Sequence, residues 1–187
     1  PHSGQVIEVI DPATALPYAH VARGDAFDVA AAVAAARSAF AGEWGRTSGM
    51  ERGRVLARIA QAISDHADRL AWIESRDVGK PISQSRADLA ATARYFEFYA
   101  GAADKLGGDV IPLKPGFTAF VERVPLGVTG HIVPWNYPTQ IFGRSVAAAL
   151  AAGNACVVKP PEDACLALLE IADLALQVGL PAGALNL

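Results

Sequence analysis

The spacing of apolar and polar residues predicts a β-hairpin and a helix at the start of the chain. Residues 5–10 and 18–22 are apolar, or alternate with polar positions, on either side of a turn signal at residues 11–14. Asp25 is then placed to cap an alanine-rich helix that reaches about Phe40. The chain is therefore expected to open with a hairpin that leads into helices.

Two further helical regions follow. Ser48 and Glu51 have the spacing of a capping box, and the apolar residues after them recur at helical spacing. Gly79 suits the left-handed conformation that ends a helix. Another helix is predicted over residues 83–105, whereas Trp44 is expected in a loop.

The last third of the chain has a different pattern. Apolar strands are predicted at residues 128–133, 155–159 and 184–187, with helices at 139–152 and 162–178 between them. Strands that alternate with helices form parallel, doubly wound sheets. The predicted fold class is therefore α/β: an N-terminal hairpin and helical segment that leads into a doubly wound parallel (Rossmann-like) sheet.

The composition indicates a protein that handles small molecules. The 187 residues carry a formal net charge of -3 without a Lys/Arg block, so neither nucleic acid nor a membrane surface is an expected partner. The longest apolar runs are far short of the roughly 20 residues that span a bilayer, and no secretory signal is visible. Two cysteines suit a reducing cytoplasm, and the histidines lack metal-ligand spacing, so no metal is predicted.

Ligands of open α/β sheets bind beyond the carboxyl ends of the strands, and two short segments lie there. In one of them, Lys159 ends a strand and Glu162 follows after two prolines. Glu162 could complement the positive N-terminus of the next helix. Alternatively, Lys159 and Glu162 could hold the two hydroxyls of a ribose, one donating and one accepting a hydrogen bond. The spacing alone leaves both interpretations open.

In the other segment, Pro134 and Pro138 fix the backbone around Asn136. Asn136 could bond its own backbone in a structural turn, beside a packed Trp135. Alternatively, the rigid turn aims its amide at a point where negative charge develops during a reaction. A donor aimed in this way contributes roughly 3 kcal/mol of transition-state stabilisation.

Together these segments resemble the aldehyde dehydrogenase superfamily in order and spacing, over essentially the whole chain. The resemblance is carried by residues 11–14, 77–81, 124–128, 132–138, 147–154, 157–162 and 179–183. It implies an enzyme that oxidises an aldehyde to a carboxylic acid with NAD(P)+ through a thiohemiacetal on a cysteine.

The resemblance also implies the roles of individual residues. Asn136 matches the amide that stabilises the thiohemiacetal oxyanion, and Lys159 and Glu162 match the residues that hold the adenosine ribose. A carboxylate accepts from a 2′-hydroxyl but repels a 2′-phosphate, so NAD is expected, with NADP left open. The other matched positions are Ile132, Val133, Pro134 and Trp135 along the cofactor, and Tyr137 and Ile141 in the substrate tunnel.

The resemblance further implies how the chain is divided. Residues 1–108 match the N-terminal hairpin and helices of the cofactor-binding domain, 109–125 a linker and oligomerisation strand, and 126–187 the first half of the Rossmann-like dinucleotide-binding domain. The catalytic cysteine and general-base glutamate would lie beyond Leu187, where the chain ends within a predicted strand. We therefore expect an N-terminal fragment, inactive alone, of an enzyme that is a homodimer or homotetramer at full length.

Three residues bear on the alternatives. Cys156 and Cys165 have no nearby cation in sequence, so both are expected to be buried, inert thiols. Ser145 stands where many relatives carry a lysine, which puts a proton-relay role for that lysine in doubt. The alternative functions are an acyl-CoA or acyl-phosphate reductase on the same scaffold, and a non-catalytic nucleotide-binding or subunit-interaction protein.

Overall fold

The structure is a computed structural model that describes residues 2–187, and it begins with the predicted hairpin. β1 (Val6–Asp11) pairs antiparallel with β2 (Leu16–Ala22). At the turn, the Asp11 carboxylate accepts a hydrogen bond from the Ala13 N–H at 2.9 Å. This bond mimics a backbone turn, which is why Asp favours such positions.

Five helices follow the hairpin. They are α1 (Ala26–Ala41), α2 (Glu43–Arg46), α3 (Gly49–Asp65), α4 (Ala67–Val78) and α5 (Ile82–Ala102). Both predicted N-caps are confirmed, because Asp25 and Ser48 each form a capping box with the residue three positions later. The predicted end of α4 is also confirmed: Gly79 has φ 75°, and its N–H donates to the Ser75 carbonyl.

The expectation of a loop at Trp44 is wrong. Trp44 lies in the short helix α2 and is fully buried. Its Nε1 donates to the Asn154 carbonyl at 2.8 Å, across the interior of the molecule. The next residue is glycine because a Cβ on Gly45 would lie 1.7 Å from the Phe40 carbonyl oxygen. Burial of the Trp44 side chain therefore determines the conformation of this segment, and the local sequence pattern does not predict that burial.

A parallel sheet follows, as predicted. Its elements are β5 (Val128–Ile132), α6 (Pro138–Ala151), β6 (Ala155–Lys159), α7 (Leu166–Gln177) and β7 (Leu185–Asn186). The strand order is β5-β6-β7, and both strand pairs are parallel. Helix α1 contacts all three strands, and α6 connects the sheet to α3 and α5, so helices and sheet share one core.

The predicted start of α7 is wrong. The helix begins at Leu166, so Glu162 lies outside its first turn, and the interpretation in which Glu162 complements its N-terminus is not supported. The carboxylate there belongs instead to Asp77 of α4, which accepts the Leu166 N–H at 2.9 Å. Asp77 also accepts a hydrogen bond from the Tyr18 hydroxyl. Burial raises the pKa of Asp77 above its ordinary value.

A second, separate hairpin lies between the helices and the parallel sheet. β3 (Asp109–Ile111) pairs antiparallel with β4 (Ala119–Val121), so residues 109–125 contain two short strands. Its apolar side chains face solvent: Val110 is 80% exposed and Phe120 is 70% exposed. Apolar exposure on this scale is typical of a surface that meets another protein segment.

Candidate functional site

β5 and β6 end side by side, so the two segments singled out above leave the sheet at one edge. Ile132 is the register partner of Lys159. The Val133 N–H donates to the Lys159 carbonyl at 3.1 Å, which extends the pairing by one residue. The turn that contains Asn136 and the turn that contains Glu162 therefore start from neighbouring backbone positions, beyond the carboxyl ends of parallel strands.

Lys159 and Glu162 form an ion pair at this edge. Lys159 Nζ lies 2.5 Å from Glu162 Oε2, and the side chains are 52% and 54% exposed. The hydrogen bond from Lys159 lowers the pKa of Glu162, so the carboxylate is ionised at neutral pH. An ion pair this exposed contributes little to stability.

Asn136 lies exposed in the turn between β5 and α6. No hydrogen bond joins its amide to the part of the chain that the structure describes, so the interpretation in which it bonds its own backbone is not supported. Trp135 is 59% exposed, which also argues against simple packing. The turn thus presents a free amide group, next to an aromatic surface, at the edge of the sheet.

The other predicted cofactor residues differ in exposure. Ile132 is 84% exposed, and Pro134 is also exposed. Val133 is only 2% exposed and its side chain belongs to the core, so this residue offers only its backbone at the edge of the sheet. The exposed apolar surface is supplied by Ile132 and Trp135.

The predicted substrate-tunnel residues lie on one continuous segment. Tyr137 is 40% exposed, and Ile141 is half-buried one turn into α6. Ser145 follows after a further turn, and its hydroxyl donates back to the Ile141 carbonyl at 2.9 Å. The Ser145 hydroxyl is therefore hydrogen-bonded within its own helix.

Beneath the turn lies a buried polar cluster that the sequence analysis missed. The Lys80 ammonium is 2.6 Å from Glu74 Oε1 and 2.6 Å from Asp88 Oδ2. The Thr139 hydroxyl donates to the other Glu74 oxygen at 2.6 Å. Burial raises the pKa of Glu74 despite the lysine beside it. The sequence contained one indication that Glu74 is buried: it lies four residues after the buried Leu70, on the same face of α4.

Both cysteines are buried, as predicted. Burial raises the pKa of Cys156 to about 12 and that of Cys165 to about 11. At pH 8 the thiolate fraction is then about one part in a thousand or less.

In the native protein we expect neither thiol to react with iodoacetamide at pH 8, as measured by mass spectrometry of the labelled peptides. Both should react after denaturation; rapid native labelling of either peptide would contradict this.

Two surface grooves lie away from the strand edge. One, of about 540 Å³, is lined by α2, α3 and the segment after α7; the other, of about 660 Å³, lies between α4 and α7. Among residues 2–187, no helix is both long and apolar enough to cross a membrane. Within the same residues, no three or more His, Cys, Asp or Glu side chains are grouped to hold a metal ion.

The fold is that of an α/β protein with a parallel sheet, and comparison with known proteins gives the family. The aldehyde dehydrogenase family model matches residues 1–187, and the chain belongs to that family. The chain is similar to the hydroxyisobutyraldehyde dehydrogenase of Mycolicibacterium austroafricanum, with 45% identity over 184 residues, which are 98% of this chain and 36% of that protein.

Solved structures agree in fold. PnpE from Pseudomonas sp. WBC-3, in complex with nicotinamide adenine dinucleotide, is 41% identical with a TM-score of 0.96, over 98% of this chain and 38% of that chain. The NAD+ complex of an aldehyde dehydrogenase from Bacillus cereus is 36% identical with a TM-score of 0.97, over 99% of this chain and 38% of that one. The chain thus spans between a third and two fifths of the length of these proteins.

Proposed function

We propose that this chain is the N-terminal part of an NAD(P)-dependent aldehyde dehydrogenase, which oxidises an aldehyde to a carboxylic acid. The observation that carries the proposal is the shared strand edge. There, the unbonded amide of Asn136 and the Lys159–Glu162 pair leave neighbouring strand ends. The nucleophilic cysteine of the reaction would come from outside this chain, because Cys156 and Cys165 are buried thiols. The resemblance implies that the general-base glutamate also comes from outside it.

In the proposed reaction, Asn136 stabilises negative charge. A cysteine thiolate adds to the aldehyde carbon, and the carbonyl oxygen becomes the oxyanion of a thiohemiacetal. The Asn136 amide, held by a turn between two prolines, donates a hydrogen bond to that oxygen. The donor is already in place before the charge develops, so little reorganisation is needed at the moment of reaction.

The residues at the edge suit a dinucleotide. Lys159 offers N–H donors and Glu162 an ionised carboxylate, which match the two adjacent hydroxyls of a ribose. Ile132 and Trp135 add exposed apolar surface next to them. When bound, the nicotinamide dinucleotide supplies the hydride acceptor. This chain's own residues bind and orient it, and Tyr137 and Ile141 line one wall of the aldehyde's path.

Glu162 should determine the preference between the two cofactors. Replacing it by Gln removes the charge that repels a 2′-phosphate while keeping an acceptor oxygen. We expect Glu162→Gln in the full-length enzyme to shift the ratio of kcat/KM for NAD over that for NADP by about tenfold towards NADP. Steady-state kinetics with both cofactors measures the ratio. Asp163→Asn, the same change one residue later, is the control and should leave the ratio unchanged.

The proposed activity is tested directly in the full-length protein. Aldehyde-dependent reduction of NAD, without added CoA or phosphate, should be observed with a panel of aldehydes that includes hydroxyisobutyraldehyde. Strict dependence on CoA or phosphate would instead favour the acyl-CoA or acyl-phosphate reductase. Binding of NAD without turnover of any aldehyde would favour a non-catalytic nucleotide-binding role.

We further propose that residues 109–125 form the linker and oligomerisation strand of a homodimer or homotetramer. The exposed apolar side chains of β3 and β4 support this assignment. Multi-angle light scattering of the full-length protein would give the assembly state, and Phe120→Lys would be expected to weaken the assembly.

A further inference from the structure

The buried cluster formed by Glu74, Lys80, Asp88 and Thr139, here called the Lys80 cluster, joins three helices at one point. Glu74 comes from α4, Asp88 from α5 and Thr139 from the first turn of α6. Glu74 and Thr139 have no exposed surface, and Asp88 is 1% exposed. Lys80, in the turn between α4 and α5, provides the one ammonium group that two carboxylates share.

The segment directly after Asn136 is attached to this cluster. Thr139 donates to Glu74, as described above, and Gln140 donates to Asp88 at 3.4 Å. The Tyr137 ring also lies over the lysine, with its centroid 5.3 Å from Lys80 Nζ. Of the four residues that follow Asn136, one belongs to the cluster, two contact it, and the remaining one is a proline with a fixed backbone angle.

We propose that Lys80 is a positioning residue for Asn136: the Lys80 cluster fixes the start of α6 and thereby aims the amide of the preceding turn. The inference rests on the function proposed above for Asn136. The exposed amide has no hydrogen bond of its own to hold it, so its direction depends on the turn, and the turn depends on its attachments. A displacement of about 1 Å at a reacting group can cost as much as 10²-fold in rate.

Stability alone is a weak explanation for such a cluster. Removing charges from water offsets much of the attraction between them, so buried ion pairs are often replaceable by apolar residues. A hydrogen-bonded lysine with two carboxylates instead fixes the relative positions of the elements that carry them. Here those elements are α4, α5 and the start of α6, which immediately follows the candidate site.

The test uses the full-length enzyme and the variants Lys80→Met, Asn136→Ala and the double variant. We expect Lys80→Met to lower kcat at least about tenfold while the KM for NAD changes by less than about twofold. In the Asn136→Ala background, Lys80→Met should change kcat by less than about twofold, because the amide that Lys80 positions is gone. Arg86→Met is the matched control: Arg86 also joins α5 to α4, through Asp68, but its ion pair is exposed.

The outcomes separate the two proposals. A tenfold loss that persists in the Asn136→Ala background overturns the positioning role and leaves the proposed function standing. Full turnover by Asn136→Ala overturns both. If Lys80→Met does not yield folded protein, Thr139→Val replaces it in the same set of single and double variants, since it removes only the hydrogen bond to Glu74. As a single variant, Thr139→Val should lower kcat about threefold or more. In the Asn136→Ala background it should have no further effect on kcat.

Discussion

Asn136→Ala in the full-length enzyme is expected to lower kcat by about 10²- to 10³-fold, which corresponds to about 3 to 4 kcal/mol of lost transition-state stabilisation. The amide lies in a turn fixed by two prolines and makes no hydrogen bond to residues 2–187, so its donor is free for an oxyanion. The effect should fall on kcat, because an oxyanion exists in the thiohemiacetal and not in the bound aldehyde.

Steady-state kinetics, with cofactor affinity measured separately, checks this expectation. The dissociation constant for NAD should stay within about twofold of its original value, since Lys159 and Glu162 are untouched. Gln61→Ala is a suitable control, because it removes another exposed amide, on α3, whose only side-chain hydrogen bond within residues 2–187 is to Asp65. Unchanged turnover by Asn136→Ala would remove this residue from the mechanism and leave the shared strand edge as a cofactor site alone.

The parts of the fold that the sequence predicted are those set by neighbours in the chain. The capping boxes at Asp25 and Ser48 join residues three positions apart, and the left-handed Gly79 ends its own helix. The alternation of strands and helices after residue 125 has the same local origin, because each element shows its own periodicity. These predictions did not depend on the tertiary contacts between helices and strands.

The predictions that failed concern contacts between distant residues. Asp77 accepts the Leu166 N–H at the start of α7 from 89 positions away, a partner that the spacing of Lys159 and Glu162 could not indicate. Thr139 bonds Glu74 across 65 positions, and this contact defines the Lys80 cluster. Helical spacing could have marked Glu74 and Asp77 as lying on the buried face of α4, but not which donors they meet.

The candidate site shows the same division. The positions of Lys159 and Asn136 at strand ends followed from the strand–helix pattern, and adjacency of the two strands followed from the rules for parallel sheets. Val133, the last residue of the predicted strand, continues the pairing with Lys159, and its side chain packs into the core.

The largest expected loss of stability comes from Trp44→Ala, at about 3 to 5 kcal/mol. Trp44 is fully buried, and its indole N–H donates to the Asn154 carbonyl at 2.8 Å. Asn154 in turn accepts the Gly127 N–H at 3.0 Å and donates to the Ala149 carbonyl at 3.1 Å. The indole therefore fills the core and braces the segment that connects α6 to β6, so truncation should both open a cavity and leave a buried carbonyl without its donor.

Two further tryptophan variants divide this effect into its parts. Trp44→Phe keeps most of the apolar volume and loses the hydrogen bond, so it should cost about 1 to 3 kcal/mol. Trp72→Ala, at a position 57% exposed on α4, should cost about 1 kcal/mol or less. Urea unfolding of the full-length protein, followed by circular dichroism so that removal of an indole does not alter the signal, gives all three values. If Trp44→Ala is no more destabilising than Trp72→Ala, α2 is not part of the core and the packing of this helix against the α6–β6 connection is wrong.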